Sequence, residues 1–309
     1  MVVLSSGYEV RERAQTTGNL AGVLIDLHTH SNASDGTDSP RQLIEKAIAR
    51  GLSVIALTDH DTIAGWDEAE RALQELSDGT KLQLVLGSEI SCQDEDGVSI
   101  HMLGLLFDRN HQGLIAELAK TRENRQTRME RIIGRLNEAG IEITLAEVYA
   151  QKRDDATLGR PHLADALVAR GHVANRDEAF QTFLHNGSKF YINHYSPSPF
   201  EAISLIKAAG GVAVIAHPLA SSRGRVMRRD LLEALIEAGL DGIEVDHRDH
   251  NESERAELLR LARANELVVT GSSDFHGTGK LNQLAEFTTD PREWERLESK
   301  ANERRVVRR

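Results

Sequence analysis

The sequence predicts an α/β barrel-like domain interrupted by a helical insertion, and three observations carry that prediction. Short β-branched runs alternate with helical patterns from Val23 onward. Glycine or asparagine separates helix from strand each time, the rhythm of βα units that feed a parallel sheet. From about 108 to 195 the rhythm stops and the chain is almost wholly helical.

Taken in order, residues 1–22 are polar, show no sustained period and read as a loose extension. A strand at 23–28 follows. Ser39-Pro40 opens a helix, with a cap residue before proline in the first turn. Leu43, Ile44, Ala47 and Ile48 form its apolar stripe and Gly51 closes it, so that a strand at 52–58 begins at once. Further strands fall at 82–87 and 99–106. The insertion, 108–195, holds a long charged helix at 111–139 and a capping box Thr144–Glu147. Another helix starts at Pro161 and ends at Gly171, and a last one is capped by Asn175 and Glu178. Ser198-Pro199 repeats the opening device, Gly210-Gly211 ends that helix, and strand 212–216 follows. Helices at 231–238 and 252–264 lead into strands 242–246 and 267–271. The barrel domain thus comprises 23–107 and 196–290, with a C-terminal helix and basic tail over 291–309. On the long helix Arg122, Arg125, Arg128, Arg131 and Arg135 alternate with Glu117, Glu123, Glu130 and Glu138, which reads as a salt-bridged solvent face.

Composition narrows the function classes. The chain of 309 residues is 40% hydrophobic and 28% charged, a globular balance. Its net charge of −11 argues against a clamp on long duplex nucleic acid. The apolar runs are strand-length, which argues against a membrane span, and no secretory signal pattern opens the sequence. A single cysteine, Cys92, rules out an intramolecular disulfide and fits a reducing, cytoplasmic setting. No dinucleotide or P-loop pattern occurs. With no long exposed apolar stripe, a monomer is expected.

The 13 histidines are informative because of where they fall. The first strand ends in Asp26-Leu27-His28-Thr29-His30, and alternation puts both imidazoles on one side. Later strands end in Thr58-Asp59-His60, in Ser88-Glu89, in Ala216-His217 and in Ser273-Asp274-Phe275-His276. Chemistry in parallel barrels gathers at this rim. His101 is the exception, lying inside its strand, and Asp35 sits in a turn able to fold back over the first strand's end. Imidazole and carboxylate suit Zn, Mn or Fe, and their number exceeds what one ion takes. The other histidines (111, 162, 172, 185, 194, 247 and 250) read mostly as solvated side chains.

The segment DLHTHSNASDGTDSPRQLIEKAIARGLSVIALTDHDTIAGWDEA resembles the first block of the PHP (polymerase and histidinol phosphatase) family, and GSEIS, HMLGL, GRPHLA, VIAHP, GIEV and SSDFH resemble its later blocks in order. The resemblance spans about 24–290. It implies a distorted (β/α)7 barrel, similar to the amidohydrolases, and two or three divalent ions. His28, His30, Glu89 and Asp274 would hold one ion, Glu89 with His101 and His217 a second, and Asp35, His60 and His276 a third. A metal-bridging hydroxide would then attack phosphorus, with Glu89 and Asp274 as catalytic carboxylates. Within the family, the TDHDT and GRPH blocks most resemble the branch that removes the 3′-phosphate of nucleoside 3′,5′-bisphosphates (pAp), some of whose members trim short RNA from the 5′ end. The stretch IEVDHRDH departs from that pattern, with Asp246 and His247 where a more aromatic segment is expected. Arg160, just before a helix start, is the first candidate for gripping phosphate, with His162 as a second contact. Lys189, Arg223 and His194 are weaker candidates, read first as solvated. Histidinol phosphate hydrolysis, amidohydrolase-type C–N hydrolysis and a non-catalytic binding role are the alternatives.

Overall fold

In the computed structural model, which describes residues 22–76, 79, 81–193, 195–302 and 306–308, alternation within each strand decides which face each residue buries. The elements are β1 (Leu24–Asp26), α1 (Pro40–Arg50), β2 (Leu52–Leu57), α2 (Trp66–Leu76), β3 (Gln83–Gln93) and β4 (Ser99–Leu105). They continue with α3 (Gln112–Glu138), α4 (Leu145–Tyr149), α5 (Arg160–Ala169), α6 (Arg176–Ala179), α7 (Pro199–Ala208) and β5 (Val212–Ala216). The chain closes with α8 (Arg229–Glu237), β6 (Gly242–Asp246), α9 (Glu252–Ala264), β7 (Val268–Gly271), α10 (Pro291–Lys300) and β8 (Val306–Val307). The fold is α/β. The proposed extension at 1–21 lies outside the described residues.

Seven strands pair in chain order, β1 to β7. One face packs Ile25, Val54, Ala56, Val85, Val212 and Val214 together, and Trp294 and Leu297 of α10 join that cluster. The opposite residues of the same strands, such as Ile55, Leu57, Leu84 and Ile215, pack under the helices. The two edge strands meet through a parallel bridge between Thr29 and Phe275. The Asp26 carboxylate adds to that seam by accepting the backbone N–H of Ser273 (3.1 Å) and Ala285 (2.8 Å).

Two features depart from the sequence reading. The sheet is not parallel throughout, because β4 runs antiparallel to both β3 and β5. A tight connection at 94–98 turns β3, longer than expected, straight back into β4, and such a hairpin can only be antiparallel. The basic tail also contributes structure, since Val306 and Val307 pair with Val85 and Leu84 as β8.

The insertion has a core of its own, in which Met129, Ile132 and Leu136 of α3 pack with Leu163 and Leu167 of α5. Leu114 and Leu118, earlier on α3, belong instead to the barrel's core. The expected solvent face of α3 is corrected for Arg122, Arg125 and Arg128, while Arg131 and Arg135 are exposed. Arg122 donates to the Asp61 carbonyl, Arg125 to the Asp61 carboxylate, Arg128 to the Ile192 carbonyl and Arg135 to the carbonyls of Lys189 and Tyr191. A helix that joins two cores is covered on several sides, and its acceptors come from distant loops rather than from neighbouring glutamates.

Candidate metal centre

Glu89 is the hub. Its Oε1 lies 2.7 Å from His101 Nδ1 and 3.2 Å from His217 Nε2. Its Oε2 lies 3.2 Å from His28 Nε2, 3.1 Å from His30 Nε2 and 3.2 Å from His60 Nδ1. Asp274 Oδ1 faces His28 Nε2 (3.5 Å) and His30 Nε2 (3.3 Å). Asp35 reaches His276 Nε2 at 3.2 Å and His60 Nε2 at 3.8 Å. The fold therefore brings together all nine side chains singled out from the sequence. Their donor atoms fall into overlapping groups able to hold metal: His28, His30, Glu89 and Asp274; His60, Glu89 and His101; and His30, Asp35, His60 and His276.

Local backbone geometry delivers these groups. Because β4 is reversed, its start rather than its end lies at the rim, which explains why His101 sits near the beginning of a strand. It pairs with Ser91 of β3 and Ala216 of β5. Asp61, His217 and Asp274 adopt left-handed φ values of 53°, 33° and 52°. Such conformations are unfavourable for non-glycine residues and cluster at functional sites, where they re-aim a side chain just past a strand. The loop carrying Asp35 is tied down by Asp59, whose carboxylate accepts Ser31 N–H (2.8 Å), Ser31 Oγ (2.7 Å) and Ser34 Oγ (2.7 Å). In the same loop a Cβ at position 36 would lie 2.6 Å from the His30 carbonyl, so only glycine fits.

Sequence reasoning missed Glu244. This fully buried carboxylate accepts from His28 Nδ1 (3.1 Å) through Oε1 and from the His217 N–H (2.9 Å) through Oε2. It thereby fixes the His28 tautomer and leaves Nε2 for the centre. The legible signal was an acidic residue inside the otherwise apolar strand Gly242–Asp246. Lys280, also missed, and Arg223, read as solvated, reach Asp274 Oδ2 at 2.9 Å and 2.7 Å. The reading of the remaining histidines as solvated is corrected for two of them. His247 and His250 are buried, and His247 Nε2 lies 3.7 Å from Asp274 Oδ2.

The electrostatics separates the imidazoles. Burial opposes charge on His28 and His30, yet the surrounding carboxylates push His28 well up and His30 up to about 9. Burial, helped by neighbouring cations, lowers His60 and His217, and His276 to about 4. Burial works against ionisation of Glu89 and Asp274, but the adjoining histidines, and Lys280 at Asp274, hold both well below the usual carboxylate range. Several buried nitrogens, namely His28 Nε2, both of His30, His60 Nδ1 and His276 Nε2, have no hydrogen-bond partner among the described residues. Buried polar atoms are normally satisfied, and imidazole nitrogens gathered with ionised carboxylates are a donor set that fits a divalent cation, which would take the place of the protons on His28 and His30.

Arg160 does not join this cluster. It opens α5 and donates to the Leu184 carbonyl (2.6 Å) and Asn186 Oδ1 (2.8 Å), with its guanidinium 5.3 Å from the Tyr191 ring centre. His162 Nδ1 accepts the Gly159 N–H at 3.1 Å, a capping bond. Lys189 is exposed, and His194 lies outside the described residues.

Comparison with known proteins agrees with this geometry. The PHP domain model matches residues 26–155. A 5′-3′ exoribonuclease of Haemophilus influenzae is 39% identical over 81% of this chain and 89% of its own length. The chain belongs to the PHP domain family. It is a metal-dependent phosphoesterase of that family. A phosphoribosyl 1,2-cyclic phosphate 1,2-diphosphodiesterase of Eggerthella lenta is 35% identical over 82% of this chain and 95% of its own. A 3′,5′-nucleoside bisphosphate phosphatase of Chromobacterium violaceum is 32% identical over 86% and 92%. A crystal structure from Bifidobacterium adolescentis, assigned as a metal-dependent phosphoesterase, superposes with a TM-score of 0.85 at 42% identity, covering 90% of this chain and 96% of that one. Among the described residues no helix of this PHP protein is long and apolar enough to cross a membrane.

Proposed function

We propose that this phosphoesterase removes the 3′-phosphate of nucleoside 3′,5′-bisphosphates and accepts short 5′-phosphorylated single-stranded RNA, using two or three Mn, Fe or Zn ions. The observation that carries a multinuclear site is the division of the Glu89 carboxylate, one oxygen facing two imidazoles and the other facing three. In this reading His28, His30, Glu89 and Asp274 hold one ion, Glu89, His101 and His217 a second, and Asp35, His60 and His276 a third. Bound divalent ions supply Lewis acidity and bring the pKa of water towards neutrality.

The chain's own groups then have separate tasks. Glu89 spans the first two sets and keeps them at a fixed spacing. Asp274 would orient the attacking water at the first ion, while Arg223 and Lys280 hold its Oδ2. The same two cations place positive charge where a phosphoryl group gains negative charge. Arg160 and His162 belong to the substrate side of the site rather than to the metal set. The substrate class is supported by the relatives, two of which are named for 5′-3′ exoribonuclease and nucleoside bisphosphate phosphatase activity. The lone thiol, Cys92, is buried and free, in keeping with a reducing cytoplasm.

The test is release of phosphate from pAp, 3′-AMP, 5′-AMP and histidinol phosphate, ring opening of a 1,2-cyclic ribose phosphate to its monoester, and release of nucleoside monophosphates from a short 5′-phosphorylated RNA. The protein is reconstituted with Mn and its metal content is measured on the same sample. Preferential release from pAp, abolished in Glu89→Ala, is the expected result. Turnover of histidinol phosphate or of the cyclic ester alone overturns the substrate assignment and keeps the centre.

A further inference from the structure

Three loops at the rim each send a nitrogen towards one oxygen, Asp274 Oδ2. Arg223 Nη2, from the loop after β5, donates to it at 2.7 Å, and Lys280 Nζ, from the loop after β7, at 2.9 Å. His247, the residue after β6, brings the third, with Nε2 at 3.7 Å. That separation is beyond a hydrogen bond, and two charged donors already use the oxygen's lone pairs.

The other ring nitrogen fixes what this imidazole offers. His247 Nδ1 accepts the Asp249 N–H at 3.0 Å, so the ring proton lies on Nε2. The side chain is fully buried, and Nε2 has no hydrogen-bond partner among the described residues. The ring is also held where it is. The His247 carbonyl accepts Arg255 Nη2 at 2.8 Å, and the imidazole packs against the rings of His217 and His250 with centres 5.3 and 5.9 Å apart. Arg223 Nε donates to the Asp249 carboxylate at 2.5 Å, which closes a circuit through His247, Asp249, Arg223 and Asp274. Leaving a buried donor unsatisfied is costly, so a fold that clamps one in place has an acceptor for it in the working molecule.

The donor's position decides what that acceptor is. Nε2 stands beside Asp274, assigned above to the first ion, and the ring stands beside His217, assigned to the second. A group bound there also faces Arg223 and Lys280, which favours an anion with several oxygens.

We propose that His247 contacts the substrate directly, its Nε2–H donating to a non-bridging oxygen of the reacting phosphoryl group. The assignment rests on the phosphoesterase reading above and adds to it a donor that holds no ion.

The probe is inorganic phosphate, titrated calorimetrically into the full chain loaded with Mn. Asparagine at 247 keeps an acceptor for the Asp249 N–H but does not reach the position of Nε2, whereas glutamine puts an N–H near it. His247→Asn should weaken phosphate about tenfold or more, the range for a hydrogen bond to a charged acceptor. His247→Gln should recover most of that affinity, and the metal content of both variants should equal that of the parent protein. The kcat/KM for pAp should fall by a similar factor in His247→Asn and recover in His247→Gln. Where His247→Asn does not fold, His247→Phe, which keeps the packing of the ring, takes its place. Unchanged phosphate affinity in His247→Asn overturns the contact, and so does loss of metal from that variant, the mark of a support for Asp274. Phosphate release from pAp at unchanged kcat/KM in the variant removes the contact and keeps the phosphoesterase reading. Weakened phosphate binding in His247→Asn, with no release from any phosphate ester by the parent protein, keeps the phosphate contact and removes that reading.

Discussion

Replacing Glu244 by glutamine should weaken metal binding although Glu244 touches the centre only through His28 and His217. The carboxylate has two acceptors, one used by the His28 ring and one by the His217 backbone. Glutamine has nearly the same shape but only one acceptor oxygen, so its amide nitrogen must face one of these two N–H donors. Leaving a buried donor unsatisfied costs about 1–3 kcal/mol. A middle value of about 2 kcal/mol corresponds to roughly a 30-fold loss of affinity. That agrees with the ~10–100-fold effect usual for partners behind a ligand. The assay is Mn or Zn competition against a chromogenic chelator, with circular dichroism to check folding. Asp246→Asn is the control, because Asp246 lies exposed at the end of the same strand. Affinity of Glu244→Gln within threefold of the parent protein would refute the view that this carboxylate orients His28.

Removing metal with a chelator should lower Tm by on the order of 10 °C in scanning fluorimetry, since an ion present at ~1,000 times its Kd contributes about 4 kcal/mol and each kcal/mol moves Tm by ~2–4 °C in a chain of this size class. Arg125→Met should destabilise the protein by about 3–5 kcal/mol in urea unfolding, because it strips a buried carboxylate, Asp61, of its cation. Leu163→Ala, at a fully buried position in the insertion's core, should cost about 2–5 kcal/mol in the same assay, and a loss below 1 kcal/mol would contradict that burial. Burial pushes the Cys92 thiol well up, with nearby carboxylates acting the same way, so little thiolate forms at pH 8; a thiol reagent should label it slowly in the native protein and fully after denaturation.

Much of the site was legible because its candidate ligands stand at the ends of strands. A histidine two residues from another, just past a β-branched run, has its direction set by local alternation, and a rim where strand ends converge does the rest. The helix starts were equally local. Ser39, Thr144, Ser198 and Asn251 each exchange hydrogen bonds with the third residue of their helix, within four residues of chain. What escaped was set by neighbours distant in sequence. Arg223 reads as a surface residue until Asp274, 51 positions away, accepts a hydrogen bond from it at 2.7 Å. The arginines of α3 look paired with helix neighbours until the chain at 189–192 supplies carbonyls.

By itself, then, the sequence determined the α/β class, the helical insertion and the nine side chains at the rim, because period, caps and strand-end placement are short-range properties. Only the tertiary structure decided that β4 runs backwards and so brings His101 in from the start of a strand. It also decided that Glu244 stands behind His28, and that Arg128 and Arg160 meet over the Tyr191 ring while Arg125 pairs with Asp61. Those outcomes depend on which segments are brought together across long sequence separations, and no local pattern encodes the partner of a buried charge.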